Sequence, residues 1–312
     1  MERVEHAGKR ALPVVAPSER PAAAKRPTKR EQADWRWQIR NAITSVSSLA
    51  REIPLTPNER AGAELAERQG LPIGITPYYL SLVDRADPNC AIRKQCVPVA
   101  NEGEFLPGDL ADPLGEEAHE VAPHLVQRYQ DRALLLVTDR CAVYCRFCTR
   151  SRMVGDGGGP VSDAKLAPAL AYLRSHPEVR DVIVSGGDPF ALATDRLVRI
   201  VAALREIPHL DTIRLATRVP VTLPQRITPE LVRALRPHHP LWVMTHFNHP
   251  KELTPESRKA CERLVDAGFP VMNQTVLLRG INDDADTLET LFRGLIRTRV
   301  RPYYLLQMDP VR

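Results

Sequence analysis

From residue 133 onward, apolar and polar positions follow two alternating rhythms. Short, nearly continuous apolar runs lie at 133–138, 181–185, 212–217, 241–246, 271–278 and 303–308. Their length and β-branched content predict strands buried on both faces. Longer stretches of helical periodicity separate them, near 163–175, 194–206, 229–236, 255–267 and 285–298. Start signals precede several: Ser162-Asp163, Thr194-Asp195 and Thr228-Pro229-Glu230, the last repeated as Thr254-Pro255-Glu256. In such a start a hydroxyl caps the helix and proline takes its first position. Gly268 stands where a C-terminal cap belongs. Six strands alternating with five helices predict a parallel sheet with right-handed crossovers. A flat doubly wound sheet and a barrel fit this rhythm equally well.

Before residue 133 the pattern is less regular. Order is predicted to begin near Asp34-Trp35-Arg36-Trp37, with a helix running through Ala50 to Ile53. Residues 54–59 interrupt it, a second helix reaches about Gln69, and residues 75–80 start a short element. The tryptophans and tyrosines here read as packing residues. Arg93-Lys94-Gln95 and the acidic stretch 101–120 read as surface loops, and Cys90 and Cys96 as structural cysteines.

Charge changes the picture only at the N-terminus. Residues 1–30 carry eight Lys or Arg against three Glu, an excess equal to the whole net charge of +5. The remainder is formally neutral, so its pI gives no reason to expect that it binds nucleic acid. The tail is rich in Pro and Ala and poor in large apolar residues, which predicts disorder. The expected organisation is therefore a disordered basic tail at 1–33, a helical region at 34–127 and an α/β unit at 128–312. No run approaches the ~18 apolar residues that would span a bilayer, and the N-terminus lacks the apolar core of a signal peptide. Six cysteines in 312 residues do not make a disulfide scaffold. A reducing, cytoplasmic setting is expected.

In parallel α/β folds, chemistry collects at the carboxyl ends of strands. Here Asp139 and a cysteine-rich loop follow the first run, Ser185-Gly186-Gly187-Asp188 the second and Arg218 the third. His246 and Asn248 follow the fourth, Arg279 and Asp283 the fifth, and Asp309 the sixth. The loop reads Cys141-Ala142-Val143-Tyr144-Cys145-Arg146-Phe147-Cys148. Three clustered thiolates suit a soft metal. A zinc loop needs a fourth ligand, whereas a cubane of four irons held by three cysteines keeps one iron open to a small molecule.

The Cys-x3-Cys-x-aromatic-Cys spacing resembles the signature of the radical S-adenosylmethionine enzymes. The Ser185–Asp188 segment resembles the glycine-rich stretch that holds the methionine amino group there. Longer stretches resemble the lysine 2,3-aminomutases: residues 34–38, 75–82, 128–132, 148–150, 223–228, 245–250, 273–283 and 301–304. Together they cover roughly residues 34–309. The resemblance selects a partial (β/α)6 barrel like that of a TIM barrel, preceded by a small, mostly helical region. It implies a 4Fe–4S cluster, S-adenosylmethionine and pyridoxal 5′-phosphate. It implies the interconversion of L-lysine and β-lysine through a 5′-deoxyadenosyl radical.

Carried over to this chain, the resemblance assigns Cys141, Cys145 and Cys148 to the cluster. It assigns Phe147, Ser185, Gly186, Gly187, Asp188, His246 and Gln274 to S-adenosylmethionine. Arg150 matches the arginine that pairs with the substrate carboxylate, and a guanidinium fork suits that role. Asp309 matches an aspartate that reads the lysine ammonium, expected as a buried carboxylate that rejects glutamate. Tyr129 and Arg132 match residues beside pyridoxal phosphate. The lysine that bonds this cofactor matches no lysine here and is expected beyond the sixth strand, so no catalytic residue is assigned. The chain reads as an incomplete copy of such an enzyme, with apolar surface exposed on its last strand. Expected partners are a flavodoxin or ferredoxin electron donor and a second copy of the chain, with neither nucleic acid nor membrane. Alternatives are action on another amino acid or a protein-bound lysine, or a non-catalytic metal-binding scaffold.

Overall fold

The computed structural model describes residues 27–311 apart from positions 105, 156 and 158. Most of the tail expected to be disordered, residues 1–26, lies outside the described residues. Its last part does not follow that expectation: Lys29–Ala33 forms a short helix, α1, capped by Thr28 and Glu31. The helical region continues with α2 (Trp35–Arg40), α3 (Val46–Glu52), α4 (Pro57–Gln69), α5 (Pro77–Leu80) and α6 (Arg93–Cys96). The single helix expected up to Ile53 is split in two. Ile43 leaves helical geometry to bridge Ile75, and Ser45 caps the restart. A long-range backbone pairing has here overridden local helix propensity.

Among the described residues, eight strands form one sheet in chain order. A short antiparallel hairpin comes first, β1 (Glu120–Ala122) and β2 (Leu125–Tyr129), and β2 pairs antiparallel with β3 (Arg132–Thr138). The sheet therefore starts before residue 128, inside the stretch expected as surface loop. The next strands, β4 (Asp181–Gly186), β5 (Thr212–Ala216), β6 (Leu241–Thr245), β7 (Val271–Leu277) and β8 (Arg301–Gln307), extend β3 in parallel. Crossovers run through α7 (Asp163–Ser175), α8 (Thr194–Arg205), α9 (Val219–Thr222) with α10 (Pro229–Leu235), α11 (Pro255–Asp266) and α12 (Ala285–Arg297). Among the described residues, β8 pairs with β7 alone. Six parallel strands thus curl without closing, a partial (β/α)6 barrel.

The elements form where the pattern placed them because both sheet faces are covered. Val182, Val184, Ile213, Leu215, Leu241 and Val243 are fully buried. Ser162, Thr228 and Thr254 accept hydrogen bonds from the first turns of α7, α10 and α11. Thr194 departs from expectation. It is the first residue of α8, whose cap, Ala193, makes no side-chain bond. The last strand differs from the rest: Tyr303, Tyr304, Leu305 and Leu306 are all exposed.

The helical region is fastened by a buried ion pair. Glu59 on α4 accepts from Nε and Nη2 of Arg93 on α6 at 2.6 and 2.7 Å, and Arg93 also donates to the carbonyls of Pro54 and Arg85. Arg93, expected in a surface loop, is only 1% exposed. Breaking such a pair from one side strands a buried charge, at about 3–5 kcal/mol. Glu59→Ala is expected to lower unfolding stability by that order, measured as a shift in the denaturant midpoint.

Candidate active site

The cysteine loop leaves the carboxyl end of β3 and is gripped by both halves of the chain. On one side, Tyr144 N–H donates to the Gly74 carbonyl and Arg146 N–H to that of Gln95, both at 3.0 Å. The Arg146 guanidinium pairs with Glu102. Gly74 lets the loop close down, since a Cβ there would lie 2.5 Å from the Tyr144 ring. Glu102 thus binds the loop, although the stretch it lies in was expected as surface.

On the other side stands the glycine segment at the end of β4. The N–H of Gly187 donates to the Thr138 carbonyl at 2.6 Å, and that of Asp188 to the Arg140 carbonyl at 2.8 Å. Gly186 has φ of +117°, and a Cβ there would sit 2.3 Å from the Thr138 oxygen. No other residue type fits. The segment was expected to lie against S-adenosylmethionine. Its two glycines approach the backbone of the cysteine loop. The Asp188 carboxylate accepts from the Thr217 hydroxyl and from the N–H groups of Arg218 and Phe190. Burial lifts its carboxyl above the usual range, and these donors oppose that shift. Ser185 is buried beside it.

Beneath the loop lies a buried guanidinium. Arg218 donates through Nη1 to the Cys145 sulfur at 2.7 Å and through Nε to the His246 carbonyl at 3.2 Å. Its Nη2 reaches Gln95 Oε1, Glu252 Oε1 and the Tyr79 hydroxyl at 2.6, 2.8 and 3.1 Å. The Phe147 ring lies 5.2 Å from its carbon, and the rings of Phe147 and His246 are 5.5 Å apart. Glu252 holds the charge in place, accepting also from Tyr79 and from the N–H groups of Asn248 and His249. Sequence reasoning placed Arg218 at a strand end without a role, and it passed over Glu252 and Gln95. Gln95 was expected on the surface and is fully buried.

The donor set fits a cubane. Among the described residues, no three His, Cys, Asp or Glu converge as ligands of a single ion. A cubane gives each thiolate its own iron, so convergence is not required. Burial raises the Cys148 thiol to about 11 and that of Cys141 well above its ordinary value. Without a metal both are neutral thiols, and metal binding must release their protons. The surroundings also fit a polar ligand. His246 Nε2, Thr245 Oγ1 and Asp139 Oδ1 are buried at the carboxyl ends of β6 and β3 without a partner.

A cavity of about 190 Å³ lies between β2, β3 and β4. Tyr129, Arg132 and Arg150 line it, with Arg128 and Glu116. Arg132 pairs with Asp181 at 2.8 Å and lies over the Tyr129 ring. Arg150, two residues after Cys148, forms a fork with Glu116 at 2.6 to 3.0 Å. Three guanidinium groups suit a phosphate or carboxylate. Glu116 was expected in a surface loop, but it is buried. The structure thus brings Cys145, Phe147, His246 and Asp188 into one network and Tyr129, Arg132 and Arg150 into one cavity. Gln274 is half-buried on β7. Asp309, expected to be buried, is half-buried, and among the described residues it makes no ion pair.

Comparison with known proteins supplies the context. Residues 135–291 match the model of the Radical SAM superfamily. The chain is 49% identical over 276 residues to the L-lysine 2,3-aminomutase of Clostridium subterminale, covering 88% of this chain and 66% of that protein. It is 45% identical to the L-lysine 2,3-aminomutase of Bacillus subtilis, covering 88% of this chain and 58% of that protein. It is 42% identical to the glutamate 2,3-aminomutase of Clostridioides difficile, covering 91% and 67%. The chain spans about two thirds of the length of the curated relatives it matches.

Burial, reinforced by the Arg218 cation, lowers the His246 imidazole to about 3. The unfolded chain takes up this proton near pH 6.5 and the folded chain only near 3, so stability falls as the pH drops through that interval. Denaturation midpoints measured from pH 7 to pH 4 are expected to decline, and less steeply in His246→Gln.

Proposed function

Because the chain belongs to the lysine 2,3-aminomutase family of the radical S-adenosylmethionine superfamily, we propose that it is an isomerase. In this reading it moves the amino group of L-lysine between neighbouring carbons to give β-lysine. The observation that supports this most is a juxtaposition. The loop suited to a cluster runs within two residues of an arginine that opens onto an anion-binding cavity.

Cys141, Cys145 and Cys148 would hold the 4Fe–4S cluster. Phe147, the Ser185–Asp188 segment, His246 and Gln274 would surround S-adenosylmethionine. Tyr129 and Arg132 would hold pyridoxal 5′-phosphate. Together these groups would supply radical chemistry able to move a hydrogen from an unactivated carbon, which protein side chains cannot do alone. The chain's own residues bind and orient. Arg150 receives the α-carboxylate in its fork, and the Glu116 carboxylate now there marks the geometry that this charge would adopt. His246, neutral at working pH, adds no positive charge beside a sulfonium. The hydrogen bonds that the loop donates to the carbonyls of residues 74 and 95 fix it against the buried helical region and help to exclude water.

The choice of lysine rests on Asp309, whose carboxylate favours an ammonium over a second carboxylate. The glutamate-specific relative makes this a real choice. An electron donor of the flavodoxin or ferredoxin class and self-association belong to the same proposal.

Reconstituted anaerobically with iron and sulfide, reduced and given S-adenosylmethionine, the protein is expected to release 5′-deoxyadenosine, and Cys145→Ala to release none. A fully loaded cluster that yields no deoxyadenosine would remove the radical reading. With lysine and pyridoxal phosphate present, Arg150→Lys loses the bidentate fork and Asp309→Asn the charge. Each is expected to lower kcat/KM for lysine about 10- to 100-fold, the worth of one charged hydrogen bond. Turnover of another amino acid in preference to lysine would move the substrate and leave the mechanism standing.

A further inference from the structure

Arg218 carries more than a fold requires. Its side chain is only 8% exposed, yet one N–H of its fork is spent on the Cys145 sulfur rather than on a stronger oxygen acceptor. Four other partners hold it in that pose: the His246 carbonyl, the Tyr79 hydroxyl, Gln95 Oε1 and Glu252 Oε1. Gln95 Oε1 also accepts from Asn248 Nδ2 at 3.0 Å, which fixes the amide's orientation. Both the N-terminal region and the barrel contribute to this pocket. A buried cation that is only structural would be satisfied by the Glu252 carboxylate and neutral oxygens.

We infer that Arg218 is a positioning residue that raises the reduction potential of the cluster, with Glu252 setting how far. This rests on the cluster reading above. Hydrogen bonds to cluster sulfurs and nearby charge are among the main determinants of such potentials. Reduction takes one electron from an external donor, such as dithionite or a reduced flavin protein. The cluster gains that electron, and no bond breaks. The added negative charge sits beside a fixed cation in a poorly screened interior, so the reduced state is the more strongly stabilised of the two. The donor also draws electron density from the Cys145 thiolate, in the same direction. Glu252 lies across the guanidinium and partly cancels the field.

The test is a redox titration of the reconstituted protein, followed by the paramagnetic signal of the reduced cluster, with iron and sulfide content measured in parallel. Arg218→Met combined with Glu252→Gln removes donor and counter-charge together, so neither charge is left buried alone. At wild-type loading its potential is expected to be more negative than that of wild type. Arg218→Lys keeps a charged donor and is expected to fall between the two. Glu252→Gln alone leaves the cation uncompensated and is expected to shift the potential upward. A purely structural arginine would change loading or melting without these opposite signs. Equal potentials in all loaded variants overturn the inference. If the double variant fails to load, Glu252→Gln decides, and an unshifted potential there overturns it as well. A wild-type protein that takes up no iron and sulfide removes the cluster reading and this inference with it. A loaded wild type with unshifted variants removes the inference alone.

Discussion

A charged guanidinium closed off from water is tolerable only if every donor is answered and the charge is balanced. Arg218 approaches that condition with acceptors from α6, from α5, from the turn after β6 and from the cysteine loop, and with the Glu252 carboxylate as its counter-charge. The acceptors come from four separate parts of the chain, so satisfying the charge assembles the site. The loop cannot shift without exposing the cation. The N-terminal region cannot lift without stripping Gln95 and Tyr79 from it. The second buried pair, Arg93 with Glu59, repeats the logic one layer further out. It keeps α6, and therefore Gln95, where the hub needs it.

The two glycines after β4 do complementary work on the other flank. They carry no side chain because the cysteine loop occupies the space where one would lie. The result is a loop clasped between a helical cover and a strand end. Its cysteines are half-buried, and burial raises the thiols of Cys141 and Cys148, so that a metal must displace their protons. Buried polar atoms without partners border the same place. The polar groups on one flank are saturated and those on the other are left open, which is what a ligand site at the mouth of a barrel requires.

The barrel was legible in the sequence because all its strands but the last are covered on both faces and its helices announce themselves with capping hydroxyls and prolines. The cysteine loop was legible because its spacing is local. What stayed hidden was long-range. Arg93, Gln95 and Glu116 look like surface residues because charged and amide side chains usually are. Their burial depends on partners 34, 123 and 34 residues away. The split between α2 and α3 and the β1–β2 hairpin escaped for a related reason. A short pairing with a distant segment outweighed a local preference that pointed elsewhere.

The same separation in sequence sets an order of assembly. Each strand pairs with the one just before it, so the sheet can grow step by step as the chain is synthesised. The clasp around the cysteines cannot. It needs Tyr79 and Gln95 from the start of the chain and Glu252 from well beyond the loop, 173 residues after Tyr79. Until that glutamate has emerged and the strand preceding it is in place, the loop is held by Gly74, Gln95 and the end of β4 but lacks the balanced cation beneath it. The buried cation is therefore balanced late, after the sheet that carries the loop has formed its first strands.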